Sequence, residues 1–76
     1  MSDTRKSPKV VEGPVVIDGG VSRAVETPDG GARLETWNPE ARSWFRGGAN
    51  WGEMMFSSPA PADRMDALGI PESDRG

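Results

Sequence analysis

The clearest alternation of apolar and polar side chains runs from Ala32 to Trp37. Ala32, Leu34 and Thr36 fall on one face of an extended segment, and Arg33, Glu35 and Trp37 on the other. Val21 to Thr27 is patterned more weakly, with small and β-branched residues between polar ones, and Ser43 to Arg46 resumes strand character. Well-marked turns separate these runs. In Pro28-Asp29-Gly30-Gly31, proline fixes φ at the first corner and Asp-Gly supplies a positive φ at little cost. Asn38-Pro39-Glu40-Ala41 has the asparagine and proline positions of a type I turn. The pattern predicts an antiparallel three-stranded meander over residues 21–46.

The flanks are less regular. Val10 to Ile17 holds two β-branched pairs split by Glu12-Gly13-Pro14. Proline has no N–H for a ladder, so this is read as an edge strand or a strand broken at Gly13. Asp18-Gly19-Gly20 marks a turn. Residues 51–56 (WGEMMF) suit a short helical turn and an extended anchor equally well. Residues 57–61 read as a proline-rich linker, and 62–68 (ADRMDAL) as a helix stopped by Gly69 and Pro71. That helix has barely two turns and needs a surface to lie on. Residues 1–9 are expected to be a disordered basic arm, and 71–76 a frayed acidic tail. The expected fold is a small β-rich α+β domain. It comprises a β meander with an aromatic anchor segment over 10–56, a linker, a short C-terminal helix over 62–70, and extended, largely irregular ends.

Composition narrows the chemistry. The chain has 76 residues, and 34% of them are hydrophobic, which is enough for one small core. Cysteine and histidine are both absent. Disulfide scaffolds, Cys/His zinc sites, and Ser-His-Asp or Cys-His catalysis are thereby excluded. The net charge of −3 opposes condensation on nucleic acid through the overall field. Residues 1–17 lack the continuous apolar run of a signal peptide, and no stretch approaches the ~20 apolar residues of a membrane span. A cytoplasmic chain without membrane contact is expected.

The three tryptophans, Trp37, Trp44 and Trp51, lie seven residues apart. Pro39, Gly47 and Gly48 forbid the continuous helix that a heptad seam would need. In a meander, Trp37 and Trp44 flank the Asn-Pro turn and approach across a hairpin. Arg33, Arg42 and Arg46 interleave with Trp37, Trp44, Phe45 and Trp51, as in single-strand binders. Glu35, Glu40 and Glu53 nearly cancel them, so nucleic-acid binding is the weakest functional reading. Glu26 and Glu35 are placed to face each other around the 28–31 turn, but so small a chain has too few apolar residues to bury an acid/base pair. Neither Asp-Gly-Gly triplet has the spacing of a P-loop or an EF-hand. No enzyme activity, cofactor or metal is expected.

The Gly19-Gly20 pair, the run Glu35-Thr36-Trp37-Asn38-Pro39-Glu40 and the later Trp44 together resemble a blade of the kelch propeller, over about residues 17–44. In that family a glycine pair precedes an aromatic-Asp/Asn-Pro turn and a later tryptophan. The pattern occurs once, and a propeller needs roughly 4–8 blades. The resemblance therefore implies a strand-turn-strand unit and carries no function.

Residues 50–56 concentrate Trp51, Met54, Met55 and Phe56 between glycines and a Ser-Ser-Pro run. A small chain without staples gains stability by association. The sequence thus points to a non-catalytic accessory or structural subunit of a larger protein assembly, with a homo-oligomer as the other form of association. Its expected partner-binding residues are Trp37, Trp44, Phe45, Trp51, Met54, Met55, Phe56, Met65 and Leu68. The alternative is a peptide precursor: Gly47-Gly48 before a short apolar segment resembles a double-glycine leader cleavage site, with a processed core beginning at Ala49.

Overall fold

The computed structural model describes residues 9–75. Four strands form one antiparallel sheet: β1 (Val10–Ile17), β2 (Gly20–Glu26), β3 (Ala32–Asn38) and β4 (Ser43–Arg46), in the order β1-β2-β3-β4. The fold is a small β-rich α+β domain, as the pattern predicts. Its expected three strands are β2 to β4, and the strand count needs correction, because 10–17 joins the same sheet as a full member. The register of β1 on β2 shifts between Val10 and Glu12 and again between Glu12 and Val15. These irregularities accommodate Pro14, which follows a cis peptide bond and sits where the ladder to β2 is interrupted. At Gly13 φ is +85°, a conformation that favours glycine, and a Cβ there would stand 3.1 Å from the Ser22 carbonyl oxygen, so a side chain would also have to push the β2 backbone back slightly.

Each hairpin follows from its turn residues. Asp18 and Gly19 both take positive φ, forming a two-residue loop between the paired Ile17 and Gly20, the primed geometry that matches strand twist. In the second loop Gly30 donates to the Thr27 carbonyl (3.0 Å), and Thr27 donates to that of Gly31 (2.9 Å). The third is a four-residue loop closed by Arg42 N–H on the Asn38 carbonyl (2.8 Å). The Asn38 side chain accepts from the N–H groups of Glu40 and Ala41. The strand-turn-strand unit implied by the kelch resemblance is present, but its two faces are covered by other parts of the same chain.

One face carries Val21, Arg23 and Val25 of β2 beside Arg33, Glu35 and Trp37 of β3; the other carries Ser22, Ala24, Leu34 and Thr36. Helix α1 (Trp51–Phe56) covers the second face, where Met54 packs with Val15 and Ala24. Helix α2 (Ala62–Leu68) covers the first, where Met65 and Ile70 pack with Val21 and Trp37. Between the helices the proline-rich segment does more than link. It runs along the outer edge of β1, with Val16 N–H on the Ser58 carbonyl and Ala60 N–H on that of Pro14, both 3.0 Å.

The ends of α2 explain its short span. Gly69 adopts φ +78° and donates to the Asp66 carbonyl, while Ile70 donates to that of Met65 (3.0 Å). The close places Ile70 on Met65 inside the core. The tail expected to fray is docked as far as Arg75, with a 3-10 turn at Glu72–Asp74. Trp37 Nε1 donates to the Leu68 carbonyl (2.8 Å), Trp44 Nε1 to the Asp74 carboxylate (3.1 Å), and Arg23 to the Asp74 carbonyl (2.7 Å). Polar anchors of this kind hold a segment that composition alone assigns to solvent. The expected arm over 1–9 lies, apart from Lys9, outside the described residues.

Two predictions follow from the packing. Arg23→Ala removes one side of the buried pair with Glu35 and should cost about 3 kcal/mol in urea denaturation, whereas Arg23→Met with Glu35→Leu should cost clearly less than the sum of the single changes. Gly48→Ala should destabilise more than Gly19→Ala. Both positions have positive φ, but a Cβ at Gly48 meets the Thr36 hydroxyl at 2.5 Å and one at Gly19 meets nothing. The φ penalty alone is roughly 1–2 kcal/mol.

Candidate functional site

The nine candidate partner-binding residues divide into two groups. Trp37, Met54 and Met65 are buried, and Trp44 and Leu68 are half-buried against the α2-side core. Phe45, Trp51, Met55 and Phe56 are exposed. The first group is used in holding the chain together. Trp37 and Trp44 are register partners, with ring centroids 5.2 Å apart and planes at 68°. That edge-on geometry suits the aromatic quadrupole.

The second group lies on the α1 side of the sheet. Phe45 pairs with Thr36, whose side chain is on that face, and the other three belong to α1 itself. Why α1 forms is local. Asn50 caps it: the Asn50 side chain accepts from Glu53 N–H (2.8 Å), and the Glu53 carboxylate accepts from Asn50 N–H (3.1 Å). This reciprocal box decides for a helix in a segment whose apolar residues suit either state. With Gly47 N–H on the Leu34 carbonyl (2.9 Å) and the Thr36 hydroxyl on the Gly47 carbonyl (2.7 Å), the entry to α1 is fixed on β3. A helix of one and a half turns buries one side, here Met54, and leaves Trp51 46%, Met55 73% and Phe56 92% exposed.

The face under α2 holds a buried charge cluster that the sequence reading did not single out. Arg23 is 2% exposed. Its Nε and Nη2 donate to Glu35 Oε1 at 3.0 and 2.9 Å, and its guanidinium lies 4.0 Å from the centre of the Trp44 ring. Arg33 donates to the other Glu35 oxygen (3.1 Å). No buried side-chain nitrogen or oxygen among the described residues lacks a partner. Both oxygens of the Glu35 carboxylate are thus engaged by arginines, and the cluster ties β2 to β3. Register paired across the 28–31 turn would have found the cluster, since it sets Arg23 directly opposite Glu35.

Other candidates are dispersed. Glu26 pairs with Ala32 and points to the α1 side, while Glu35 faces α2, so the expected carboxylate pair around the turn does not form. Strand alternation puts them on opposite faces. The interleaved aromatic and basic residues make no single platform. Trp37 is buried, Arg33 is paired with Glu35, and Phe45 is on the face opposite Trp44. Among the described residues no group of three or more acidic side chains is gathered as a metal site, and no helix is long and apolar enough to cross a membrane.

At the 28–31 turn the Thr27 hydroxyl and then the Gly31 N–H donate to the exposed Asp29 carboxylate and hold its pKa below the ordinary aspartate value. A depressed pKa contributes stability that is present above the unfolded-state value and is lost as pH falls through the folded one. Thr27→Val should therefore raise the Asp29 pKa in a carboxyl-carbon NMR titration and flatten the acid side of the stability profile, and Thr27→Ser should leave both close to the parent. Comparison of the chain with protein-family models, with curated proteins and with solved structures gives no match in any of the three.

Proposed function

We propose that this chain is a non-catalytic accessory subunit that docks on a larger protein through the apolar side chains on the α1 side of its sheet. The observation that carries this reading is the balance of α1: a six-residue helix, fixed at both ends to the sheet, that buries Met54 and presents Trp51, Met55 and Phe56 to solvent. Covering a fully exposed phenylalanine stabilises by roughly 1.5–3 kcal/mol. Tryptophan is enriched among the residues that dominate binding energy, and methionine adapts to irregular contact surfaces. Docking would also stabilise the domain by mass action. Trp37, Met54 and Met65 serve this role only indirectly, by holding the presenting surface.

The precursor reading has less to support it. Gly47 and Gly48 both have positive φ, and Gly48 lies against Thr36 and Phe45, so the pair has a role in the fold itself. Cleavage after Gly48 would separate the sheet from both helices that cover it.

The test is size-exclusion chromatography of extract from the native source. The wild-type chain should elute well above its own 8.1 kDa. Trp51→Ser with Phe56→Ser should elute free while keeping the wild-type urea midpoint, because neither side chain is buried. A wild-type chain eluting as a free monomer would overturn the reading.

A further inference from the structure

The charged side chains of the strands are sorted by face. Glu12 pairs with Ala24, and Glu26 lies two residues further along β2, so both project on the α1 side. Glu53 is on α1, its carboxylate held by the Asn50 amide. Arg23, Arg33 and Arg46 project on the opposite side, where Arg46 pairs with Glu35. Among the described residues, the strands and α1 thus place three carboxylates on the α1 side, against one cation at the entry to β1: Lys9, whose carbonyl accepts from Glu26 N–H (2.8 Å), stands opposite Glu26. Glu12 lies opposite Ala24, on which Met54 of α1 packs, and Glu26 is two residues along β2 from Ala24, about 7 Å. That separation is within the ~10 Å over which surface charges act together at ordinary salt.

Resting on the docking role above, we infer that the α1 side takes a protein segment whose apolar side chains are flanked by lysine or arginine. Rim charges set partner choice and association rate more than total affinity. The excess of carboxylates on the side that carries Trp51, Met55 and Phe56 favours a basic counterpart and disfavours two alternatives. A second copy docking α1 on α1 would oppose Glu12, Glu26 and Glu53 with their own equivalents, and an anionic lipid surface would repel them. Glu12 and Glu26 are both exposed, and with Lys9 opposite Glu26 the balance on this side stays negative.

The probe is an amphipathic helical peptide of leucine and lysine, titrated into the full chain and followed by tryptophan emission, with a leucine-glutamate peptide as its control. Binding to the lysine peptide should blue-shift the emission, weaken as salt rises, and fall about tenfold both for Glu12→Lys with Glu26→Lys and for the control peptide. Equal binding of both peptides, no binding of either, concentration-dependent self-association of the chain, or uptake onto anionic vesicles would overturn the inference. The same charge reversal in the chromatography experiment separates this inference from the docking role. If association with the native partner is lost in Trp51→Ser with Phe56→Ser but kept in the charge-reversed chain, docking stands and the basic partner falls. If both variants elute free, both stand.

Discussion

The arrangement turns on one buried cation. Arg23 projects from the central hairpin into a site from which water is excluded, and a charge there persists only with its partners in place. It finds them from three sources: Glu35 across the hairpin, the Trp44 ring from β4, and the Asp74 carbonyl from the far end of the chain. Residues separated by 51 positions are thereby tied to one guanidinium. The C-terminal segment is held on the sheet in part by this bond, which satisfies one end of the buried guanidinium. Exclusive reliance on apolar contact would have required more hydrophobic residues than this composition supplies.

The same economy explains the layering. β2 is buried on both faces, and its run Val21, Ser22, Arg23, Ala24, Val25 holds side chains that are small, polar or charged as well as apolar. Each polar member is matched. Ser22 and Thr36 share a hydrogen bond of 2.9 Å across the α1 face, while Arg23 and Glu35 pair across the α2 face. Two very short helices suffice as covers because each contributes one deeply placed methionine, Met54 on one side and Met65 on the other. The shortness of α1 in turn creates the exposed surface, since a single-sided anchor cannot hide the residues that share its turn.

Much of the fold was readable. The alternation from Ala32 to Trp37, the loop at Pro28 to Gly31 and the Asn38-Pro39 turn are local signals, and local geometry obeys them. The strand at Val10 to Ile17 was obscured by Pro14, whose effect depends on whether a bulge receives it, a matter decided by β2. The docking of the tail at Glu72–Asp74 is illegible in the sequence for a different reason: it uses backbone carbonyls and one carboxylate, groups that look identical in a solvated end. For the candidate site, the aromatic and methionine content of residues 51–56 was visible, but which of them turn inward was not. That choice follows from the Asn50–Glu53 box, a signal present in the sequence and outweighed there by the apolar residues around it.

The segment at Ser58 to Ala60, lying along the outer edge of β1, has a further effect on how these chains can meet. A sheet grows without limit only when both of its lateral borders are open to another strand. Here one border is occupied from Pro14 to Val16 by the chain's own backbone, and the other is β4, four residues long and ending in an arginine. Among the described residues, a neighbouring strand therefore finds only two short stretches to lengthen the sheet, the four residues of β4 and the four of β1 that precede Pro14, so the molecule offers no long continuous border for sheet growth.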